Sequence, residues 1–172
     1  MLFRSRKIRD CIEQSRAAGA SLVILPELAV IGYPPKDLLL KPAIIAECAA
    51  AVDELAAQCT DITALIGYPC VAPNKVGRSL YNAAAVCQNG RVISRAIKSL
   101  LPTYDVFDEH RYFEPAPQGD AGNVLQLHGV PIGVSICEDL WNDGELLPRQ
   151  LYHFDPIRHL ASAGAQIGRA HV

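Results

Sequence analysis

Apolar positions recur every three to four residues over 6–18, where Ile8, Cys11, Ile12 and Ala17 fall near one face and charges fill the rest. That spacing predicts a helix, with Gly19 as its stop. The period then changes. Residues 21–25, Ser-Leu-Val-Ile-Leu, form a short continuous apolar run closed by Pro26-Glu27, the pattern of a buried strand. Four prolines punctuate a structured loop over 26–42, and an alanine-rich stretch over 43–58 predicts a second helix. Residues 61–68 read as a strand and 69–78 as a Pro/Gly/Asn loop. The runs 80–88 and 91–97 flank Asn89-Gly90, which predicts a hairpin. Residues 99–120 are irregular, with Pro102, Pro115 and Pro117 among aromatics; so long a loop in one domain points to function. Strands are expected at 124–127 and 131–136 across His128-Gly129, and a helix at 156–163 with Asp155 as N-cap, Pro156 at N1 and Gly164 as stop. Helix leading into buried strand gives an α/β class, and without repeats or linkers the reading is one domain.

Composition narrows this modestly. The chain has 172 residues, half of them hydrophobic, enough for one domain with a core. Net charge is -2 with both signs interspersed, so neither a nucleic-acid nor a membrane partner is expected. No apolar run approaches the ~18 residues of a membrane span, and residues 1–10 lack the apolar stretch of a secretory signal. Cysteines at 11, 48, 59, 70, 87 and 137 lack metal spacing; they read as reduced core thiols of a cytoplasmic protein, with one exception, and no metal site is expected. Residues 1–5 and 167–172 resemble translations of adapter DNA. The expected natural domain is therefore 6–166, cut from a longer gene and lacking a strand before the first helix.

The exception is Cys137. In Gly133-Val134-Ser135-Ile136-Cys137-Glu138-Asp139-Leu140-Trp141, a buried strand delivers a cysteine to its end and then breaks into acidic residues. Two other strands end similarly, with Glu27 after 21–25 and Lys98 after 91–97. Reactive groups gather at strand ends in α/β sheets. Each residue alone has an ordinary role: a core thiol, a surface turn acid, a solvated lysine. Together they suit acyl transfer. A carboxylate takes the thiol proton as general base, the thiolate attacks an amide, and an ammonium steadies the oxyanion. No histidine stands at a strand end, so a papain-type Cys/His pair is the weaker alternative.

These motifs resemble a known family. Leu25-Pro26-Glu27-Leu28 with Gly32-Tyr33-Pro34-Pro35, Lys98 ahead of 101–109, and Ile136-Cys137-Glu138-Asp139-Leu140-Trp141 are similar to the Glu, Lys and Cys motifs of the nitrilase (carbon–nitrogen hydrolase) superfamily. The wording of 34–39, 104–113 and 137–141 resembles one branch, the glutaminase domain of glutamine-dependent NAD synthetases. The resemblance covers nearly all of 6–166. It implies a nitrilase-like αββα sandwich, incomplete at both ends. It implies Cys137 as the nucleophile forming a glutamyl thioester, Glu27 as general base and Lys98 as stabiliser of the intermediate. Tyr104 would help bind glutamine. Glu109 is either the additional glutamate that superfamily members place near the triad, or a solvent-facing turn acid. Glu138 and Asp139 would fix the elbow, and Trp141 would be a packing anchor.

The implied partners are glutamine, an ATP-dependent synthetase domain of the same parent chain, and further copies in a homo-oligomer. No cofactor is expected in this chain; ATP and Mg would belong to the synthetase domain, for which no Gly-rich phosphate loop occurs here. The family domain is roughly half as long again, and its Ser-containing strand completing the glutamine pocket would follow Gln166. Two alternatives stand beside the glutaminase: a free-standing amidase acting on another small amide, and a non-catalytic fragment or interaction domain.

Overall fold

At Asn89 and Gly90 the chain turns with φ of 53° and 74°, positive at both positions as a type I′ hairpin requires. Strand β3 (Leu80–Gln88) therefore returns as its antiparallel partner β4 (Arg91–Ile97). The computed structural model describes residues 3–73, 76–117, 123–144 and 149–171. Ahead of the hairpin come α1 (Phe3–Ala17), β1 (Leu22–Ile24), α2 (Pro42–Ala56) and β2 (Thr63–Val71). After it come β5 (Val124–Leu127), β6 (Val130–Ile136), α3 (Pro156–Ser162) and β7 (Ile167–His171). One sheet has the order β1-β2-β3-β4 and the other β5-β6-β7. β1 is parallel to β2, β2 antiparallel to β3, and β7 parallel to β6.

Alternation along the strands builds four layers. On one face of the first sheet, Ile66, Tyr68, Ala83 and Ala85 pack against Ile8 and Ile12 of α1 and Val52 and Leu55 of α2. Its other face presents Leu65, Ala84, Val86 and Ala96 to Leu125, Ile132, Val134 and Ile136 of the second sheet. On the outer face of β6 lies α3. A side chain at Gly133 would meet Leu160 at 3.3 Å and Ala165 at 3.0 Å, so glycine permits this close approach. The result is the expected αββα sandwich. Asp155 caps α3 as expected, accepting from the Arg158 N–H at 3.0 Å. Among the described residues no helix is long and apolar enough to cross a membrane.

Three boundaries differ from the sequence reading. β2 runs on through Pro69 to Val71 instead of breaking at the proline. β1 pairs with β2 only over 63–65, so Pro69 lies where one side of the strand has no ladder to donate to. α1 begins at Phe3, three residues before the expected start at Arg6. Residues 167–171 pair in register with 132–136. They occupy the strand edge that β6 leaves open opposite β5, where any extended backbone can pair.

Candidate active site

Glu27, Lys98 and Cys137 belong to strands of two different sheets, and the sandwich brings them together. Past Ile24 the chain stays beside β2: Leu25 donates to the Leu65 carbonyl at 3.0 Å and Val30 to that of Gly67 at 3.1 Å. Glu27 lies between these ties. Lys98 immediately follows β4, and its N–H donates to the Asn82 carbonyl at 2.9 Å. Cys137 directly follows β6 with φ of 46°, a strained conformation for a residue with a side chain.

Asp139 holds this elbow. One carboxylate oxygen accepts from the N–H groups of Ser99 and Leu100 at 2.9 and 2.8 Å, and the other from Ile136 at 3.0 Å. One side chain thus joins the residues after Lys98 to the residue before Cys137. Burial pushes its carboxyl up to about 6, although the three backbone donors and Lys98 oppose the shift.

Lys98 is completely buried. Its Nζ lies 2.7 Å from Glu27 Oε1 and 2.9 and 2.8 Å from the two oxygens of Glu109. A buried ammonium needs such partners. Burial works against its charge, but the Glu27 and Glu109 carboxylates outweigh it and hold Lys98 above the ordinary lysine range. Two carboxylates facing one cation leave an excess of negative charge. Burial, with repulsion from Glu27, raises the Glu109 carboxyl above its ordinary value against the pull of Lys98. Burial and the Glu27 carboxylate also push the Cys137 thiol up to about 11, with Lys98 opposing.

Glu109 is therefore not a solvent-facing turn acid. It is 5 % exposed and reached by Tyr33 Oη at 2.9 Å as well as by Lys98. Tyr104 stands at the rim, 44 % exposed, its ring edge-on to Phe107 at 5.6 Å. Its hydroxyl donates to Glu138 at 2.7 Å, and Tyr152 donates to the other Glu138 oxygen at 3.0 Å. Trp141 is 65 % exposed, so within this chain it is not the packing anchor expected from sequence. Of the five other cysteines, Cys48, Cys59 and Cys87 are core residues, while Cys11 and Cys70 are half-buried. Behind the Tyr33–Glu109 contact lies a cavity of about 280 Å³ lined by Tyr33, Asp37, Phe107, Glu109 and Tyr112; Cys137 is not on its wall. Among the described residues no three His, Cys, Asp or Glu side chains converge as a metal would need.

Sequence reasoning missed Asn82. It is 1 % exposed in the middle of β3, and its Nδ2 donates to Glu27 Oε1 at 2.6 Å and to Glu109 Oε2 at 3.3 Å. The available signal was one polar residue inside the apolar run Leu80–Val86. Chemically, the cluster can take a proton from a thiol, hold a cation beside the sulfur and keep both fixed.

Comparison with known proteins gives the family. Residues 5–153 match the carbon–nitrogen hydrolases, and the chain belongs to that family. It is 46% identical over 138 residues to the glutamine-dependent NAD(+) synthetase of Xylella fastidiosa (strain Temecula1), an alignment covering 80% of this chain and 24% of that protein. Against the corresponding Synechocystis protein the identity is 37% over 169 residues, covering 95% of this chain and 29% of that one. The structure of glutamine-dependent NAD+ synthetase from Acinetobacter baumannii in complex with ADP superposes with a TM-score of 0.79 at 30% identity, covering 97% of this chain and 28% of that one. An amidase of the nitrilase superfamily from Nesterenkonia AN1 shares the fold, with a TM-score of 0.74 at 20% identity over 97% of this chain and 57% of that one. The chain thus spans about a quarter of the length of the synthetases it matches.

Proposed function

We propose that this domain hydrolyses the side-chain amide of glutamine through a thioester on Cys137. The ammonia would pass to an ATP-dependent NAD synthetase domain, where ATP and Mg would be bound. The observation that carries the reading is the wholly buried Lys98 ammonium clasped by Glu27 and Glu109 beside the Cys137 elbow. Similarity to glutamine-dependent NAD synthetases supports glutamine as the amide.

The steps balance as follows. Glu27 takes the thiol proton as sulfur attacks the amide carbon. The carbon–sulfur bond forms, the carbonyl oxygen becomes an oxyanion, and Lys98 supplies positive charge nearby. The carbon–nitrogen bond breaks, Glu27 returns the proton to the leaving nitrogen, and ammonia departs. Water then attacks the thioester, giving its proton to Glu27. Glutamate leaves, and the sulfur recovers that proton. A thiol raised to about 11 is almost wholly protonated at neutral pH, which is why the base is needed. Tyr104, held by Glu138 at the rim, would contact the amino-acid end of glutamine. Self-association into a homo-oligomer belongs to the same reading.

The test is ammonia release from glutamine, asparagine and propionamide by this chain and by its Glu27→Gln variant. Preference for glutamine, with a loss on the order of 10²-fold or more in the variant, supports the proposal. Faster turnover of propionamide favours a free-standing amidase. No release from any amide, by a folded chain, contradicts both.

A further inference from the structure

The cluster around Lys98 contains one group to which the thioester chemistry assigns no step. Asn82 is neutral, buried and mid-strand, yet both of its amide hydrogens are directed at carboxylates, to Glu27 at 2.6 Å and to Glu109 at 3.3 Å. The orientation of its amide follows from chemistry. Reversing the group would press its carbonyl oxygen onto the carboxylate oxygen at 2.6 Å, so the NH₂ end must face Glu27. The consequence is a buried Oδ1 with no hydrogen-bond partner. Keeping two donors on the carboxylates while leaving an acceptor unsatisfied marks a position where the donors matter.

We propose that Asn82 is a positioning residue that selects which oxygen of Glu27 acts as the base, an inference that rests on the glutaminase reading above. Glu27 Oε1 accepts from both Asn82 and Lys98, at 2.6 and 2.7 Å. Oε2 is the Glu27 oxygen that neither engages, and it is the atom that takes the thiol proton. The second amide hydrogen steadies Glu109 Oε2, the oxygen 2.8 Å from Lys98. The Asn82 main-chain carbonyl accepts the Lys98 N–H at 2.9 Å, so one residue fixes the main chain of the lysine and, through its side chain, both of its counter-charges. An amide does this without adding charge. Lysine here would quench the base, and aspartate would put a third carboxylate beside two others.

The experiment compares the full chain with Asn82→Leu and Asn82→Asp, reading glutamine hydrolysis and the rate of Cys137 labelling by a chloroketone analogue of glutamine across pH 5–9. Loss of positioning lowers kcat on the order of 10²-fold in Asn82→Leu, with KM little changed. In Asn82→Asp, activity relative to wild type falls as pH rises, because the new acid donates a hydrogen bond while protonated and repels Glu27 once ionised. A purely structural role leaves the acid-side midpoint of Cys137 labelling in Asn82→Leu where the wild type has it, whereas loss of two amide donors to the carboxylates raises it. Should the leucine variant fail to fold, the aspartate ratio alone decides. A wild-type chain labelled at Cys137 with an aspartate ratio flat across pH overturns this proposal alone. A wild-type chain in which Cys137 is labelled no faster than the other five cysteines overturns the glutaminase reading and this proposal together.

Discussion

Lys98 is the residue on which the site's electrostatics turn. Exchanging it for methionine would leave Glu27 and Glu109 buried without their cation, which costs about 3–5 kcal/mol. The pH dependence has a definite sign. Glu109 already holds its proton above the ordinary carboxylate range, and losing Lys98 raises that further. The penalty is therefore present above the unfolded carboxylate range and relieved as pH falls toward it. In urea melts, the gap in stability between Lys98→Met and wild type should narrow from pH 8 to pH 5. A gap that stays flat or widens would contradict buried, ionised carboxylates left behind in the variant. Cys137 gives a second expectation. With its thiol raised to about 11, non-specific alkylation in the absence of glutamine should climb with pH to well above the range of an ordinary thiol. A Cys137 titrating near neutrality, read by thiolate absorbance against Cys137→Ala, contradicts that environment. Glu27, Lys98 and Cys137 were legible in sequence as candidates because each follows a strand. Asn82 was not, because nothing local distinguishes a mid-strand asparagine facing two carboxylates from one facing solvent. Glu109 stayed ambiguous for a related reason: its tyrosine partner, Tyr33, lies 76 positions away.

At the scale of elements, the three strand-end residues meet for a reason other than the one that suggested them. The three strands are not neighbours in one parallel sheet; β1 and β4 are the outer strands of one sheet and β6 belongs to the other. Hydrophobic alternation indicates which face of each strand is buried, but not which sheet faces which. Asp139 is the element-level tie between the two, bonding Ser99, Leu100 and Ile136. Asp139→Ala orphans three backbone donors and should cost about 3 kcal/mol, measurable by denaturant unfolding. It should also slow Cys137 labelling, since the elbow loses its hold on the lysine segment. A variant as stable as wild type would show that water replaces the carboxylate. The β2 extension illustrates the limit of local signals, since Pro69 reads as a breaker and only the early end of β1 makes it tolerable.

For the whole molecule, apolar side chains stand open around the site mouth and beyond: Val106, Leu140, Trp141 and Leu151 are all exposed. β4 and β5 are edge strands in their sheets. Exposed edges and apolar patches favour self-association. The isolated chain should therefore show low stability, with concentration-dependent light scattering on mild heating. A soluble monomer with one cooperative thermal transition contradicts this. The four-layer arrangement was foreseeable because the motifs resemble a family of that fold; periodicity alone gave only strands, helices and an α/β class.

Site-resolved mass spectrometry after treatment with a chloroketone analogue of glutamine tests the nucleophile assignment most directly. Cys137 should be modified well ahead of Cys11, Cys48, Cys59, Cys70 and Cys87, with added glutamine protecting it. Uniform modification of all six, or labelling of Cys137 that glutamine does not slow, would contradict the assignment of the nucleophile and its substrate.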